Sequence, residues 1–254
     1  MNKMDNTEIL ITKGVTKNFG DFTAVNKVDF EMKENEAVGI IGPNGAGKTT
    51  FLNIITGYYT PEKGAVFSQG YDITNLSPAK RVALKIARTF QLVHVFDNLS
   101  VFDNVALAYF REKQGKALPL SIFSGTLHQP LIDRKVREHL EMFELVHLID
   151  ETVGNLPLGS KKRLELAMAF AAEPKVLLLD EPFAGLGDQE VDEIVGVLKR
   201  YAHNKTILVV EHKVSKLTEF VDRLAVMNEG EIISYGECEE TLNDPEVRRC
   251  YWKV

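Results

Sequence analysis

Eight consecutive residues, GPNGAGKT, are suited to binding the phosphates of a nucleotide. They run from Gly42 to Thr49 and fit the pattern G-x-x-x-x-G-K-[ST]. Small residues let the backbone wrap around phosphates, and successive N–H groups point inward at the start of a helix. The pattern predicts Lys48 as the cation for the β and γ phosphates and the Thr49 hydroxyl as a Mg²⁺ ligand. The predicted nucleotide-contacting residues are Gly42, Pro43, Asn44, Gly45, Ala46, Gly47, Lys48, Thr49 and Thr50.

Two adjacent carboxylates, Asp180 and Glu181, follow the apolar run VLLL. In a parallel sheet, ligands bind outside the carboxyl ends of the strands. Asp180 at such an end can hold Mg²⁺, usually through water, and Glu181 can orient and polarise an attacking water. An Asp-Glu pair at a strand end is usually a solvated turn, but the phosphate loop in the same chain favours the catalytic interpretation.

The elements around these residues predict an α/β fold. Residues 37–41 (AVGII) suit a strand covered on both faces, and the helix that follows should stop at Gly57. Alternating strands and helices later in the chain imply a parallel sheet with helices on both faces. The other predicted strands are 8–12 (an edge strand), 25–32 (with one wet face), 176–179, 206–210 and 223–228, and the later helices are one from Lys161, 188–201 and 213–221.

Composition narrows the class of protein further. The chain has 254 residues, 44% of them hydrophobic and 26% charged, and its net charge of −6 gives no overall basic field for nucleic acid. Two cysteines make no disulfide framework, so a reducing cytosol is the simplest setting. The polar start MNKMDNTEIL is no signal peptide, and no apolar run approaches the roughly 18 residues of a membrane span. A membrane role would therefore work through a protein partner.

Almost the whole chain resembles the ATP-binding cassette (ABC) family of ATPases. The resemblance rests on GPNGAGKTT and on the block LPLGS…VLLLDEP. It implies that Phe19 in KNFG stacks on adenine and that His212 in VVEH contacts the γ-phosphate. It also implies that Gln91 in RTFQ contacts Mg²⁺ or the attacking water and faces membrane subunits.

The resemblance implies a single ABC ATPase domain with the P-loop NTPase fold. We expect a RecA-like parallel core with an antiparallel β subdomain, formed by residues 1–91 and 165–254. An α-helical subdomain is expected over residues 92–164, including an insertion at 113–130. That insertion mixes Gly, Pro and Ser with apolar residues, so it is either a surface loop or an ordered segment that docks on a partner.

Within the family, the chain looks most like the ATPase subunits of branched-chain amino acid importers, through RTFQ, the insertion, DEPFAGL and the tail NDPEVRRCY. That resemblance implies an ATP-hydrolysing subunit on the cytoplasmic face of the cell membrane, importing branched-chain or other small amino acids or amides. The implied partners are a second cassette, permease subunits and, indirectly, a solute-binding protein, without nucleic acid. A similar tail and DEPFAG occur in the ATPase of lipopolysaccharide export, which is the alternative.

The chain departs from the family at its signature, L-S-G-G-Q, where it has Leu156 to Ser160 as LPLGS. In the family, the signature of one cassette closes over the ATP of its head-to-tail partner. Pro157 removes a hydroxyl and an N–H, whereas Gly159 and Ser160 keep a close backbone approach and a hydroxyl. Three bases follow, residues 161–163, and they either favour an anion there or form a solvated face. We expect an unequal pair of cassettes, in which a regular signature from the partner completes this chain's own ATP site.

Two other classes compete with a transporter ATPase. A chromosome-type cassette ATPase would need long heptad arms, which residues 50–155 lack, and a translation factor would usually carry two cassettes. A nucleotide-binding regulator without turnover is disfavoured by Glu181 and His212, although the altered signature keeps that alternative open.

Overall fold

The computed structural model describes residues 8–89, 93–114 and 130–252. Gln91 and most of the predicted insertion at 113–130 therefore lie outside the described residues. The chain forms two compact units. The first unit comprises Met1–Arg88, Lys175–Glu181 and Leu198–Val254, and the second comprises Thr89–Pro174 and Pro182–Val197.

The strands and helices follow one another in an α/β order. They are β1 (Glu8–Phe19), β2 (Phe22–Lys33), β3 (Ala37–Ile41), α1 (Lys48–Thr56), β4 (Lys63–Ser68), β5 (Tyr71–Asp72), α2 (Pro78–Ala83), β6 (Ile86–Arg88), α3 (Val101–Gln114), α4 (Pro130–Met142), α5 (Leu158–Ala171), β7 (Val176–Asp180), α6 (Asp188–Tyr201), β8 (Ile207–Val210), α7 (Val214–Leu217), β9 (Arg223–Asn228), β10 (Glu231–Glu237), α8 (Cys238–Asn243) and α9 (Pro245–Trp252).

The first unit contains a six-stranded sheet in the order β10-β9-β3-β8-β7-β6. The pairs from β9 to β6 are parallel, and only β10 is antiparallel to its neighbour. Every residue of β3, β7 and β8 is buried, as expected for strands covered on both faces. The predicted parallel sheet is therefore confirmed, and its carboxyl edge carries the ends of β3, β7 and β8 together.

A second, antiparallel sheet in the first unit has the order β2-β1-β4-β5. The prediction that residues 8–12 form an edge strand is wrong, because β1 runs to Phe19 and pairs with β2 on one side and β4 on the other. The sequence pattern is hard to follow because the pairing shifts register between Thr12 and Val15, a β-bulge that breaks the alternation of side chains. The edge strands of this sheet are β2 and β5, and the residues in the second half of β2 alternate between exposed and buried.

The predicted ends of three helices, α1, α5 and α7, can be compared with the ends in the structure. Helix α1 stops at Gly57, which has φ 83° and donates its N–H to Ile54, as predicted. Helix α5 begins at Leu158, three residues before the predicted start. Helix α7 covers only residues 214–217 of the predicted 213–221. The N–H of Asp222 donates to the Ala37 carbonyl at 2.7 Å and the Asp222 carboxylate accepts the N–H of Ala37 at 2.8 Å, so the chain is already tied to β3 before β9 begins.

A buried arginine holds the end of α1 in the first unit. Arg81 is 1% exposed, and its guanidinium donates to the carbonyls of Ile54 and Ile55 in α1 and of Thr74 and Leu76. Burial lowers its pKa to about 10, so it stays charged at neutral pH. Its donors satisfy carbonyls that the last turn of a helix cannot pair internally.

The second unit is mainly helical. Its helices α3, α4 and α5 pack on one another, and Phe143 and Phe170 meet edge-on with ring centroids 5.3 Å apart. In the described parts of both units, no helix has the length and apolar character needed to cross a membrane.

Candidate nucleotide-binding site

The predicted phosphate loop lies between β3 and α1, at the carboxyl edge of the six-stranded sheet. Two of its glycines are required by the backbone. A side chain on Gly42 would collide with the carbonyl of Met227, and one on Gly47, which has φ 99°, would collide with the carbonyl of Ala24. Gly47 is also the N-cap of α1, so the loop turns directly into the start of the helix, where N–H groups can meet an anion.

Lys48 is folded back over this loop. Its side chain is buried, and Nζ donates to the carbonyl of Gly42 at 2.7 Å and of Pro43 at 3.0 Å. Burial lowers the pKa of Lys48, while the nearby Glu181 and Asp180 carboxylates oppose that shift. These loop carbonyls are weak partners for a cation, so the ammonium can turn to phosphate oxygens without breaking an ion pair.

The two predicted carboxylates come at the end of β7. Asp180 is 3% exposed and is hydrogen-bonded to Arg88 at 2.6 Å. Glu181 has φ 49°, in the left-handed region, and its N–H donates to the carbonyl of Val210 in β8 at 2.9 Å. The unusual φ turns Glu181 off the line of the strand, and residues held this way often belong to functional sites.

Glu181 and His212 contact each other across the ends of β7 and β8. Glu181 Oε1 and His212 Nε2 are 3.1 Å apart, and the His212 ring is partly exposed. The buried side chain of Glu211 accepts the backbone N–H groups of His212 at 2.8 Å and of Lys213 at 3.4 Å, which fixes the turn that carries the histidine. A carboxylate and an imidazole therefore face the same space.

A groove of about 260 Å³ joins these residues. It brings Asn44 to Thr50 of the phosphate loop together with Glu181 and His212. It is also lined by Phe22, a residue that our sequence reasoning missed. The signal was the spacing in FGDF: Phe19 and Phe22 are opposite each other across the β1–β2 hairpin. The described lining does not include Phe19, whose ring meets Tyr59 edge-on at 5.3 Å with Lys17 above it.

The donors at this site suit a metal that arrives with its nucleotide. Among the described residues, no group of three or more His, Cys, Asp or Glu side chains is arranged to hold a metal ion. The available donors are the Asp180 carboxylate and the exposed hydroxyl of Thr49. Mg²⁺ keeps several waters and is bound by one or two protein oxygens plus phosphates, so this sparse set fits it.

The sequence model of the family described as ABC transporter matches residues 25–184, which include both the phosphate loop and the two carboxylates. The chain belongs to the ABC transporter family. It is an ATPase of the kind that energises transport.

Relatives and solved structures of ABC ATPases cover nearly the whole chain. It is 36% identical over 253 residues to the high-affinity branched-chain amino acid transport ATP-binding protein LivG of Salmonella typhimurium, covering 96% of this chain and 97% of that protein. An ATP-binding cassette of an ABC transporter in its ADP conformation is 32% identical, with a TM-score of 0.79 and coverage of 97% and 99%. A dimeric bacterial ABC transporter cassette is 27% identical, with a TM-score of 0.77 and coverage of 91% and 99%.

The signature segment of this ABC ATPase lies in the second unit, at the start of α5. Pro157 is the N-cap, with φ −65° and ψ 160°, and no side chain caps the helix. Gly159 and Ser160 are buried within the unit. A side chain on Gly159 would collide with the carboxylate of Glu190, so packing within the unit already requires glycine there.

The three bases after the signature are engaged by carboxylates of the same unit. The sequence suggested either that the bases favour an external anion or that they form a solvated face. The structure shows neither, because each base is paired with a carboxylate. Lys162 is itself buried. The partners are Asp97 for Lys161 at 2.8 Å, Glu165 for Lys162 at 3.9 Å, and Glu193 and Glu144 for Arg163 at 3.2 and 3.9 Å.

Proposed function

We propose that this chain hydrolyses MgATP to drive the import of branched-chain amino acids, acting as one of two cassettes on the cytoplasmic face of the cell membrane. The observation that carries the proposal is the meeting of Glu181 and His212, 3.1 Å apart, beside the phosphate loop. A binding-only regulator has no need of a water-directing carboxylate held in place this way.

Phosphate binding is the task of the loop and of Lys48. The backbone N–H groups of residues 44–50 surround the β and γ phosphates, and Lys48 exchanges its carbonyl partners for phosphate oxygens. The aromatic side of the groove receives the base. Phe19 is the residue that the family resemblance assigns to that role, and Phe22 is the aromatic that lines the groove.

The reaction is an in-line displacement at phosphorus. Water adds to the γ-phosphorus while the bond to the β–γ bridging oxygen breaks, which gives ADP and inorganic phosphate. Glu181 orients and polarises that water, and His212 holds Glu181 and reaches the γ-phosphate. Bound Mg²⁺ would supply charge neutralisation on the phosphates, with Asp180 and Thr49 as its protein ligands. Gln91 lies outside the described residues, and its contact with Mg²⁺ or water stays a prediction.

We propose that a second cassette completes the site, because in the family the signature of one cassette closes over the ATP of its partner. A solved relative is a dimeric cassette, which supports head-to-tail pairing here. Gly159, Ser160 and the start of α5 are then offered to the partner's nucleotide. Because the segment LPLGS lacks the serine and one glycine of the family signature, we propose that the partner's site is the weaker one.

The transported substrate is proposed from the relatives. Proteins named for high-affinity branched-chain amino acid transport match over 96% of the chain. Permease subunits would embed in the membrane and a solute-binding protein would select the cargo. Uptake of leucine by vesicles that hold the assembled complex tests this directly, and vesicles that move lipopolysaccharide instead would contradict it.

Glu181→Gln in this chain and the equivalent change in the partner cassette test which of the two ATP sites is the more active. We expect the change here to lower ATPase activity of the complex by about 100-fold or more while ATP still binds, since general-base catalysis contributes about 10²–10⁴-fold. Glu219→Gln is the matched control, because Glu219 is an exposed carboxylate held by Lys199 and Lys216. If the partner's change abolishes turnover and Glu181→Gln barely matters, the assignment of the active site is reversed.

A further inference from the structure

Arg88, the last residue of β6, is bound to the carboxylate proposed to hold the metal. Its Nη2 atom donates to Asp180 Oδ2 at 2.6 Å, and the two side chains are only 6% and 4% exposed. Its Nη1 atom donates to Asn53 Oδ1 at 2.6 Å and to Thr56 Oγ1 at 3.3 Å. One guanidinium therefore joins the strand end that carries Asp180 to the helix that begins at Lys48.

The sheet sets this arrangement. In the parallel ladder between β6 and β7, Arg88 lies opposite Leu178, two residues before Asp180. Strands β6 and β7 thus end side by side, and a long side chain on β6 can reach the carboxylate at the end of β7. Because the other edge of the guanidinium is held by α1, Arg88 cannot follow Asp180 into a different position.

A buried ion pair is by itself weak evidence of stabilisation, because removing two charges from water costs about as much as their attraction returns. Arg88 gives Asp180 one hydrogen bond, from Nη2, and uses Nη1 on α1, so its rigid planar guanidinium can fix the carboxylate relative to the helix, which a flexible lysine cannot do as well. The contacts of Arg88 on both Asp180 and α1 are of this orienting kind.

We propose that Arg88 is a positioning residue of the metal site, which holds the Asp180 carboxylate in the orientation that meets Mg²⁺. This inference rests on the proposed role of Asp180. The sign of the effect follows from what remains when Arg88 is removed. Asp180 would be a buried carboxylate that has lost this partner, and Lys48 is a cation on which it already acts electrostatically. A carboxylate that turns to Lys48 is lost to the metal and also competes with phosphate.

The experiment is a titration of the full-length chain, saturated with ADP, with Mn²⁺ as an EPR-visible substitute for Mg²⁺. ADP excludes turnover, so the readout is metal affinity rather than activity. We expect Arg88→Met to raise the Mn²⁺ dissociation constant about tenfold, the lower end of the effect of removing partners that orient a metal ligand. Arg88→Lys should give an intermediate loss, because it keeps the charge but not the fork.

Arg223→Met is the matched control. Arg223 also forms an ion pair, with Glu36 at 3.4 Å, but it lies at the start of β9, at the opposite end of the parallel strands. It should leave Mn²⁺ affinity unchanged. Asn53→Ala removes the other anchor of Arg88 without touching the carboxylate, and should weaken Mn²⁺ binding about twofold to fivefold by the same reasoning. If Arg88→Met does not fold, Asn53→Ala still tests the proposal.

The outcomes separate this inference from the proposed function. Unchanged or tighter Mn²⁺ binding in Arg88→Lys and Asn53→Ala overturns the positioning role, since tighter binding means that Arg88 acts only as a competing cation. Asp180→Asn tests the metal assignment itself. If Asp180→Asn weakens Mn²⁺ binding and the Arg88 variants do not, only the present inference fails. If Asp180→Asn has no effect, the metal assignment is overturned and this inference with it.

Discussion

Two helices of this protein carry a basic side chain in their first turn, Lys48 in α1 and Lys161 in α5, yet they offer different chemistry. Helix α1 begins at Lys48, whose ammonium is held by two loop carbonyls. Helix α5 begins after Pro157, and the bases that follow it contact carboxylates of their own unit. A cation near a helix start attracts an external anion only when its existing partners are weaker than that anion. The partners, rather than the number of basic residues, distinguish a phosphate site from a structural helix start.

Loss of the ammonium at α1 should have the largest effect. We expect Lys48→Met to weaken ATP binding by about 3–6 kcal/mol, since it removes two charge-assisted hydrogen bonds of about 1.5–3 kcal/mol each. Titration of the chain with a fluorescent ATP analogue measures this. Lys161→Met is the matched change at α5 and should leave the affinity of the isolated chain within twofold. An equal loss in both variants would remove the distinction between the two helices.

The second-largest effect is expected at the C-terminal end of α1, where a substitution should lower the stability of the chain. Helix α1 is nine residues long and is held there by Arg81, whereas α5 has 14 residues. Arg81→Met leaves three buried carbonyls and one partly buried carbonyl without that donor, so we expect the free energy of unfolding to fall by about 3 kcal/mol. For a chain of this size that corresponds to a fall in Tm of about 6–12 °C. The exposed Arg248→Met is the control, and calorimetry is the measurement.

Each helix start also has an exposed apolar side chain near it, Phe22 for α1 and Leu158 for α5. If the groove beside α1 receives the base, Phe22→Ala should weaken nucleotide binding by about 1–3 kcal/mol, the usual value of aromatic stacking on a base. Leu158→Ala should not change it. Comparison with Phe19→Ala decides which aromatic stacks: a loss only in Phe19→Ala would support the family assignment and contradict the role of Phe22.

The smallest effect is expected at the cap of α5. Pro157 has the extended backbone that N-cap residues adopt, and it offers no side-chain acceptor to the helix. Pro157→Ser should therefore stabilise the chain by about 1 kcal/mol, which calorimetry can detect. If the signature is impaired by Pro157, the same change also raises ATPase activity of the assembled complex. Pro157→Ala is the control, since it restores an N–H without a hydroxyl.

The sequence was enough to predict the parallel core and the residues of the first helix start. GPNGAGKT and VLLLDEP are continuous segments, so the sequence alone places each of them at the end of a strand, β3 and β7, with β8 between the two in the sheet. The position of β1 could not be predicted in the same way, because a bulge interrupts its pattern and only pairing with β4 shows that it lies inside a sheet.

Side chains that act across the fold were the harder part. Arg81 and Arg88 look like ordinary surface residues in sequence, and nothing in their neighbourhood signals burial. Ile54 and Ile55 lie 27 and 26 positions from Arg81 in the sequence, and Asp180 lies 92 positions from Arg88. Only the folded chain brings these residues together. The same holds for the contact of Asp222 with Ala37, which ties the chain to β3 after the short α7.

The left-handed backbone of Glu181 has a consequence for how this protein can change over evolutionary time. Any residue other than glycine or asparagine pays a conformational cost of about 1 kcal/mol to adopt φ 49° in the left-handed region. Selection for heat resistance alone would therefore favour glycine at position 181, and the carboxylate proposed to orient the attacking water would be lost. With the role proposed for Glu181, stability and turnover are opposed at this single residue.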